Sequence, residues 1–374
     1  MEQQEIINTI ALTRMSAISL AGLQEAYQRL GSATAIIDHH KDIREVLPDA
    51  TNRLVEAFQG INAQIRQAEE EYEWATRNKI EPIAFNDPRY PQRMRNCQDA
   101  PLLVYYRGSS DLNPTRCIAM IGTRHCTTYG QDIIRHFMQD LRAMCPETLV
   151  MSGLAYGIDI NAHREALRNG LPTIGVVAHG LDQIYPRSHR DTAIEMLRHG
   201  GLLTEYPHNT VVDKINFVRR NRIVAGMADA TILVESASKG GGLITMGIAR
   251  DYNRDCFAFP GPVNAEYSKG CNNIIRDNGA ALITSAEDFV KAMCWSNESE
   301  LQQNRQKGIE RQIFPDLTPD EEKIVRSLQD TNDQQLNLLT VKTDIPISKL
   351  TSLLFSLEMK GVIKTLSGGC YHLL

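Results

Sequence analysis

Lys214, Arg219, Arg220 and Arg222 crowd into the stretch "KINFVRRNR" (214–222), which holds no acidic residue. Guanidinium groups in such a run can grip phosphates or carboxylates in a fixed fork geometry. Asn216 and Phe217 open the run, and a Phe beside phosphate-gripping arginines can stack on a nucleobase. Two other readings stay open: Phe217 packs in a core, or Arg220 and Arg222 pair with Asp159 or Glu205. The run leads through the apolar "ATILVES" into Lys239 and the consecutive Gly240, Gly241 and Gly242, followed by a helix-like "LITMGIA". Three more junctions are glycine-bearing: "IGTRHCTTYG" (121–130) with Arg124, "SGLAYGID" (152–159) and "AHGLDQIYP" (178–186). Loops of this kind let backbone N–H groups and helix N-termini approach an anion, or they serve only as tight turns.

No assembled acid–base or nucleophile set accompanies these loops, so no catalytic residue is assigned. The first loop is not GxGxxG, no GxxxxGK[ST] is present, and no acid is placed to hold a ribose. His163 in "INAHREAL" reads as a hydrogen-bonded helix histidine, His179 has no evident partner, and Tyr129 and Tyr185 read as packing residues. Several phosphate-friendly loops with an arginine cluster match several phosphates in a row, which a nucleic-acid strand supplies. The chain's net charge of −5 does not oppose this, because the local field decides.

The elements that must position these residues are legible from periodicity. With 374 residues, 42% hydrophobic and 23% charged, the chain is long enough for two or three domains. Residues 1–80 read as helical. A turn-rich stretch, "FNDPRYPQRMRNCQDAP", follows. From 102 to 293 short apolar runs ("CIAMIG", "TLVMSG", "TIGVVAHG", "GLLTEYP", "ATILVES", "CFAFPG", "AALIT") alternate with helical segments, the pattern of a parallel sheet flanked by helices. Residues 294–312 read as a polar linker. Residues 313–374, starting at a capping Thr318, run helix, helix, helix and hairpin, the order of a winged helix, with Lys349, Glu358 and Lys360 on or beside its candidate recognition segment. The eight cysteines form no CxxC pair and read as buried free thiols of a reducing cytosol. No metal or cofactor is expected. No apolar run reaches a membrane-spanning length and "MEQQEIINTI" lacks signal-peptide features, so a cytoplasmic protein is expected.

The ordered series "MIGTRHCTTYG", "SGLAYGIDINAHREAL", "GLDQIYPRSHR", "LLTEYP", "NFVRRNRIVAGMADATILVES", "GGGLITMGIA" and "FAFPGPVNAEYSKGCNNIIRDNGAALITSAEDF" resembles the DprA/Smf family, the DNA-processing proteins of bacterial transformation. The resemblance implies an α/β fold: a Rossmann-like parallel-sheet domain (81–293) binding single-stranded DNA, an N-terminal helical domain of helix-hairpin-helix or SAM-like type (1–80), the linker (294–312) and a winged helix (313–374). It implies a non-catalytic homodimer that protects incoming strands and helps load the RecA recombinase. By motif, Arg124 contacts a phosphate, Asn216, Phe217, Arg220, Asn221 and Arg222 form the "NF..RNR" core with Arg219 beside it, and Gly241, Gly242 and Thr245 match a "GSLIT" loop to which Lys239 adds charge. Gly242 stands where the family has Ser, and Tyr156 where Arg is common. A competing reading is a nucleotide-hydrolysing enzyme of the lysine-decarboxylase-like family, whose "PGGxGTxxE" signature meets "SKGGGLITMGIA" here without its glutamate. A third is a small-nucleotide sensor whose winged helix regulates transcription.

Overall fold

The computed structural model describes residues 2–295, 317–366 and 368–374. The linker expected at 294–312 lies outside them except for Cys294 and Trp295. Two compact units are formed, one from Met1–Leu112 with Val176–Arg220, the other from Asn113–Gly175 with Asn221–Leu374. No helix of the described residues is long and apolar enough to cross a membrane.

The first unit begins with helices α1 (Gln3–Thr13), α2 (Leu20–Leu30), α3 (Ala33–Asp38), α4 (Ile43–Val46), α5 (Asn52–Gln59) and α6 (Ile61–Arg77). Ser19, Ser32 and Thr51 start α2, α3 and α5 by accepting a backbone N–H three residues on. Their apolar faces close over Ile10, Leu12, Ile36 and Phe58, all fully buried. Then come β1 (Glu81–Ala84), α7 (Gln92–Arg95) and β2 (Leu103–Gly108), two strands that the turn-rich sequence did not announce. β2 pairs antiparallel with β1 on one side and with β6 (Gly200–Thr204) on the other. β2, which the sequence did not announce, is thus antiparallel to both of its neighbours.

The second unit holds the parallel sheet. Its order is β5 (Thr173–Val176), β4 (Leu149–Ser152), β3 (Cys117–Ile121), β7 (Ala230–Leu233), β8 (Asp255–Ala258) and β9 (Ala281–Leu282). These are the uninterrupted apolar runs of the sequence; β3, β4, β5 and β7 are buried throughout because helices cover them, whereas the edge strand β9 is exposed. Those helices are α8 (Thr128–Met144), α9 (Ile158–Arg168), the C-terminal part of α11 (Lys214–Met227), α12 (Gly241–Asp251), α13 (Lys269–Arg276) and α14 (Ala286–Ala292); α10 (Arg190–Met196) belongs to the first unit. Phe137, Phe257, Phe289 and Trp295 meet edge to face beneath the sheet. From β3 the chain steps to β4 and β5 on one side, and later to β7, β8 and β9 on the other. The loops leaving β3 and β7 therefore diverge at a topological switch point, the place where open α/β sheets bind ligands.

The C-terminal elements are α15 (Pro319–Asp330), β10 (Gln334–Gln335), α16 (Leu336–Thr343), α17 (Ile347–Met359) and the hairpin β11 (Ile363–Leu366) with β12 (Cys370–Leu373). Thr318 and Glu321 cap α15 reciprocally. A disulfide joins Cys294 to Cys370, and Arg254 Nη1 donates to Asn337 Oδ1 at 2.8 Å. Two of the eight cysteines are therefore not free. The end of α14 and β12 come together across a sequence separation of 76, which spacing could not reveal.

Candidate nucleic-acid interface

At the switch point the loop after β3 is held from several directions. Glu235, 3% exposed at the end of β7, accepts from Thr127 twice: Oε2 from its N–H at 2.9 Å and Oε1 from its hydroxyl at 2.5 Å. Thr127 in turn caps α8. Thr123 N–H donates to Glu235 O at 2.8 Å, and Ile158 N–H donates to Thr123 O at 3.1 Å. A Cβ on Gly122 would lie 2.5 Å from Ile158 Cγ1 and 2.7 Å from Glu235 O, so only glycine fits this crossing. Arg124 sits exposed on the turn so fixed. Burial, aided by the Glu235 carboxylate, pushes the Cys126 thiol up to about 12, so it stays protonated at neutral pH. Sequence reasoning passed over Glu235 because a strand-end acid has no signature of its own; its partner Thr127 lies 108 residues away.

The neighbouring loops add backbone donors and aromatic surface. In 153–157, Asp159 Oδ2 accepts from Gly153 N–H at 3.2 Å and Ala155 N–H at 3.4 Å. Gly157 has φ +78° and packs against the Thr123 carbonyl. Tyr156, which stands where the resembled family commonly has Arg, is 50% exposed. Lys239, Gly240 and Gly241 are exposed at the start of α12, whereas Gly242 is buried. A Cβ on Gly242 would come within 2.8 Å of Leu233 Cδ1, the end of a side chain that must shift to admit a serine here. Thr245 is also buried, and its hydroxyl donates to Gly241 O at 3.1 Å, a bond within the helix. His125 stacks on Tyr267 with ring centroids 5.9 Å apart, a pair the sequence did not suggest. Asn221 and Arg222 are half-buried on the second half of α11.

In the other unit the first half of α11 separates its side chains by role. Lys214 and Arg219 are exposed, and Asn216 and Phe217 are half-buried. Arg220 is only 3% exposed; its Nη1 donates to Val176 O and its guanidinium lies 5.9 Å over the Phe217 ring. The structure thus turns Arg220 inward, where it braces the helix. Phe217 meets Tyr185 at 5.8 Å, and Tyr185 is 46% exposed rather than packed away. The partner of His179 is now visible: its Nε2 accepts from Tyr185 N–H at 3.3 Å, so Nδ1 carries the hydrogen and donates to Gly180 O at 2.8 Å. Burial, with Arg220 nearby, pulls its pKa down and keeps it neutral. His163 is wholly buried and bonds Thr173 Oγ1 at 2.7 Å.

The C-terminal lysines are paired with acids. Lys349 reaches Asp320 at 2.6 Å, and Lys360 reaches the two Glu321 oxygens at 2.7 and 2.8 Å. Burial alone would raise the Glu321 pKa, but Lys360, the Thr318 N–H and Ser356 outweigh it and lower it from 4.5 to about 2. A carboxyl depressed on folding stabilises above its unfolded pKa, here by about 3 kcal/mol, and that stabilisation is lost as pH falls from about 4.5 towards 2. Lys360→Met should therefore move the acid-unfolding midpoint, followed by circular dichroism, to higher pH. An unchanged midpoint would show that the pair contributes nothing.

The chain is a doubly wound α/β protein whose switch-point loops carry glycines and the exposed cations Arg124 and Lys239. Residues 81–294 match the family model of DNA recombination-mediator protein A, and the chain belongs to that family. It is 36% identical over 212 residues to the DNA processing protein DprA of Streptococcus pneumoniae (57% of this chain, 74% of that protein). It is 28% identical over 313 residues to the protein Smf of Escherichia coli (80% and 79%). Among solved structures, DprA of S. pneumoniae superposes with a TM-score of 0.66 at 29% identity, covering 78% of this chain and 98% of that one. DprA of Helicobacter pylori, studied for its single-stranded DNA binding mode, gives 0.52 at 26% identity, covering 58% and 96%.

Proposed function

We propose that this recombination mediator binds single-stranded DNA, gripping phosphates with Arg124 and Lys239 on one unit and with Lys214 and Arg219 on the other, while Phe217 stacks on a base. Arg222 and Asn221 assist from their half-buried positions, and Gly241 offers backbone N–H groups. The observation that carries the reading is the exposed Arg124 on a switch-point loop that Glu235 holds rigid. The single-stranded DNA binding mode of the H. pylori relative supports it. The protein acts as a cytoplasmic homodimer without catalysis and helps load the RecA recombinase. Residues 1–80 form a helix-hairpin-helix or SAM-like domain and 313–374 a winged helix, with the strand-binding domain at 81–293. Against a nucleotide-hydrolysing enzyme stands Glu235: both its oxygens already accept from Thr127. In a competition assay, unlabelled oligo-dT should displace fluorescent oligo-dT at concentrations at which duplex of equal length does not. Equal displacement by duplex would defeat the stacking part of the proposal, because stacking needs exposed bases.

A further inference from the structure

The first unit contains a cavity of about 660 Å³ that none of the strand contacts above uses. Arg107, Arg187 and Arg190 line it, with Asp182 the one acid of the lining. Arg107 lies on β2 directly opposite Leu202 of β6, so the two side chains share a sheet face. Arg187 and Arg190 come from the turn and helix that follow the loop pinned by His179, and both are exposed. Among the described residues none of these three guanidinium groups has a hydrogen-bond or ion-pair partner. Asp182, by contrast, already accepts from Asn209 N–H at 3.2 Å. Apart from Gln183, the rest of the wall is apolar, including Ile184, Ile194 and Leu202, with the exposed Tyr185 at its edge.

Three unpartnered guanidiniums converging on one concavity with an apolar wall and an aromatic rim specify a ligand with two parts. The guanidiniums fit phosphate oxygens bidentately. The apolar wall and Tyr185 fit the flat face of a base, and the volume falls within the range of small-molecule sites. We propose that this cavity binds a phosphorylated nucleoside, with its phosphates on Arg107, Arg187 and Arg190 and its base against Tyr185 and the Leu202 wall. The ligand is either a free nucleotide or one nucleotide of a bound strand; only the second source rests on the function proposed above.

The test uses the full chain and the variant Arg187→Ala/Arg190→Ala, whose two exposed positions leave the core intact, with melting temperature as the check. Calorimetry with dTTP, and with thymidine as the phosphate-free control, reads the cavity directly. Fluorescent oligo-dT across a salt series reads the strand. If the ligand is a free nucleotide, dTTP binds the wild type, thymidine does not, and the variant weakens dTTP at least about tenfold with the oligo-dT curve unmoved. If it is a strand nucleotide, the variant lowers the oligo-dT salt slope by about 1.4, two single-strand phosphate contacts. The proposal is overturned if the variant changes neither dTTP nor oligo-dT binding. A wild type that binds no oligo-dT would end the strand reading of the whole protein, while the dTTP arm would still decide the cavity.

Discussion

Replacing Arg124, Arg219 and Lys239 together by alanine should weaken oligo-dT binding about a hundredfold and leave the melting temperature within a degree or two. All three are exposed, so their truncation opens no void in the core. Each exposed contact to a phosphate is worth about 1 kcal/mol, and three such losses amount to about two decades in Kd. The salt slope should fall by about 2, since each lost single-strand contact removes about 0.7. Arg220→Ala should behave in the opposite way. Arg220 is buried and bonded to Val176 O, so its loss leaves a buried carbonyl short of a donor and a void beneath Phe217. We expect about 2–3 kcal/mol of destabilisation. A triple variant that binds as the wild type would remove these residues from the interface. An Arg220→Ala protein that melts normally would refute its bracing role.

The second large effect is expected at Gly157. Its φ of +78° is unfavourable for a residue with a side chain, and an added Cβ would stand 2.2 Å from the Thr123 carbonyl oxygen. Backbone cannot yield as a side-chain tip can, and Thr123 adjoins Arg124. Gly157→Ala should cost about 3 kcal/mol, combining left-handed strain with displacement of the loop, and should weaken DNA binding besides. Gly242→Ser is the informative contrast. Its Cβ meets only the Leu233 Cδ1 methyl at 2.8 Å, the end of a side chain that can rotate. The cost there should be under about 1.5 kcal/mol, with oligo-dT affinity kept or improved by the added hydroxyl. Chemical denaturation and anisotropy on the two variants would check both halves; equal destabilisation would contradict the distinction between backbone and side-chain crowding.

Much of this arrangement could be read from the chain because its causes are local. The apolar runs that became β3, β4, β5, β7 and β8 are uninterrupted since helices cover the sheet, and the glycines after them mark the loops. The cap at Thr318 with Glu321 is a local signature as well. What escaped has its cause elsewhere in the sequence. β1 and β2 lie on either side of a proline-rich turn, and only pairing with each other and with β6 makes them strands. Arg219 and Arg220 are adjacent and chemically alike, yet helix geometry turns one to solvent and the other onto Val176 O. Thr245, placed by resemblance in the "GSLIT" loop, is buried and bonds Gly241 O within its own helix. Glu235 and the Cys294–Cys370 pair each depend on a partner far along the chain.

The most direct test of the central claim is the affinity of the wild-type protein for oligo-dT and for duplex of the same length, measured by fluorescence anisotropy across a salt series. The four exposed cations Arg124, Lys214, Arg219 and Lys239 predict a single-strand slope of log K against log salt near −3, about 0.7 for each phosphate contact, with duplex bound more weakly throughout. A slope near zero, or duplex bound as tightly as oligo-dT, would contradict it.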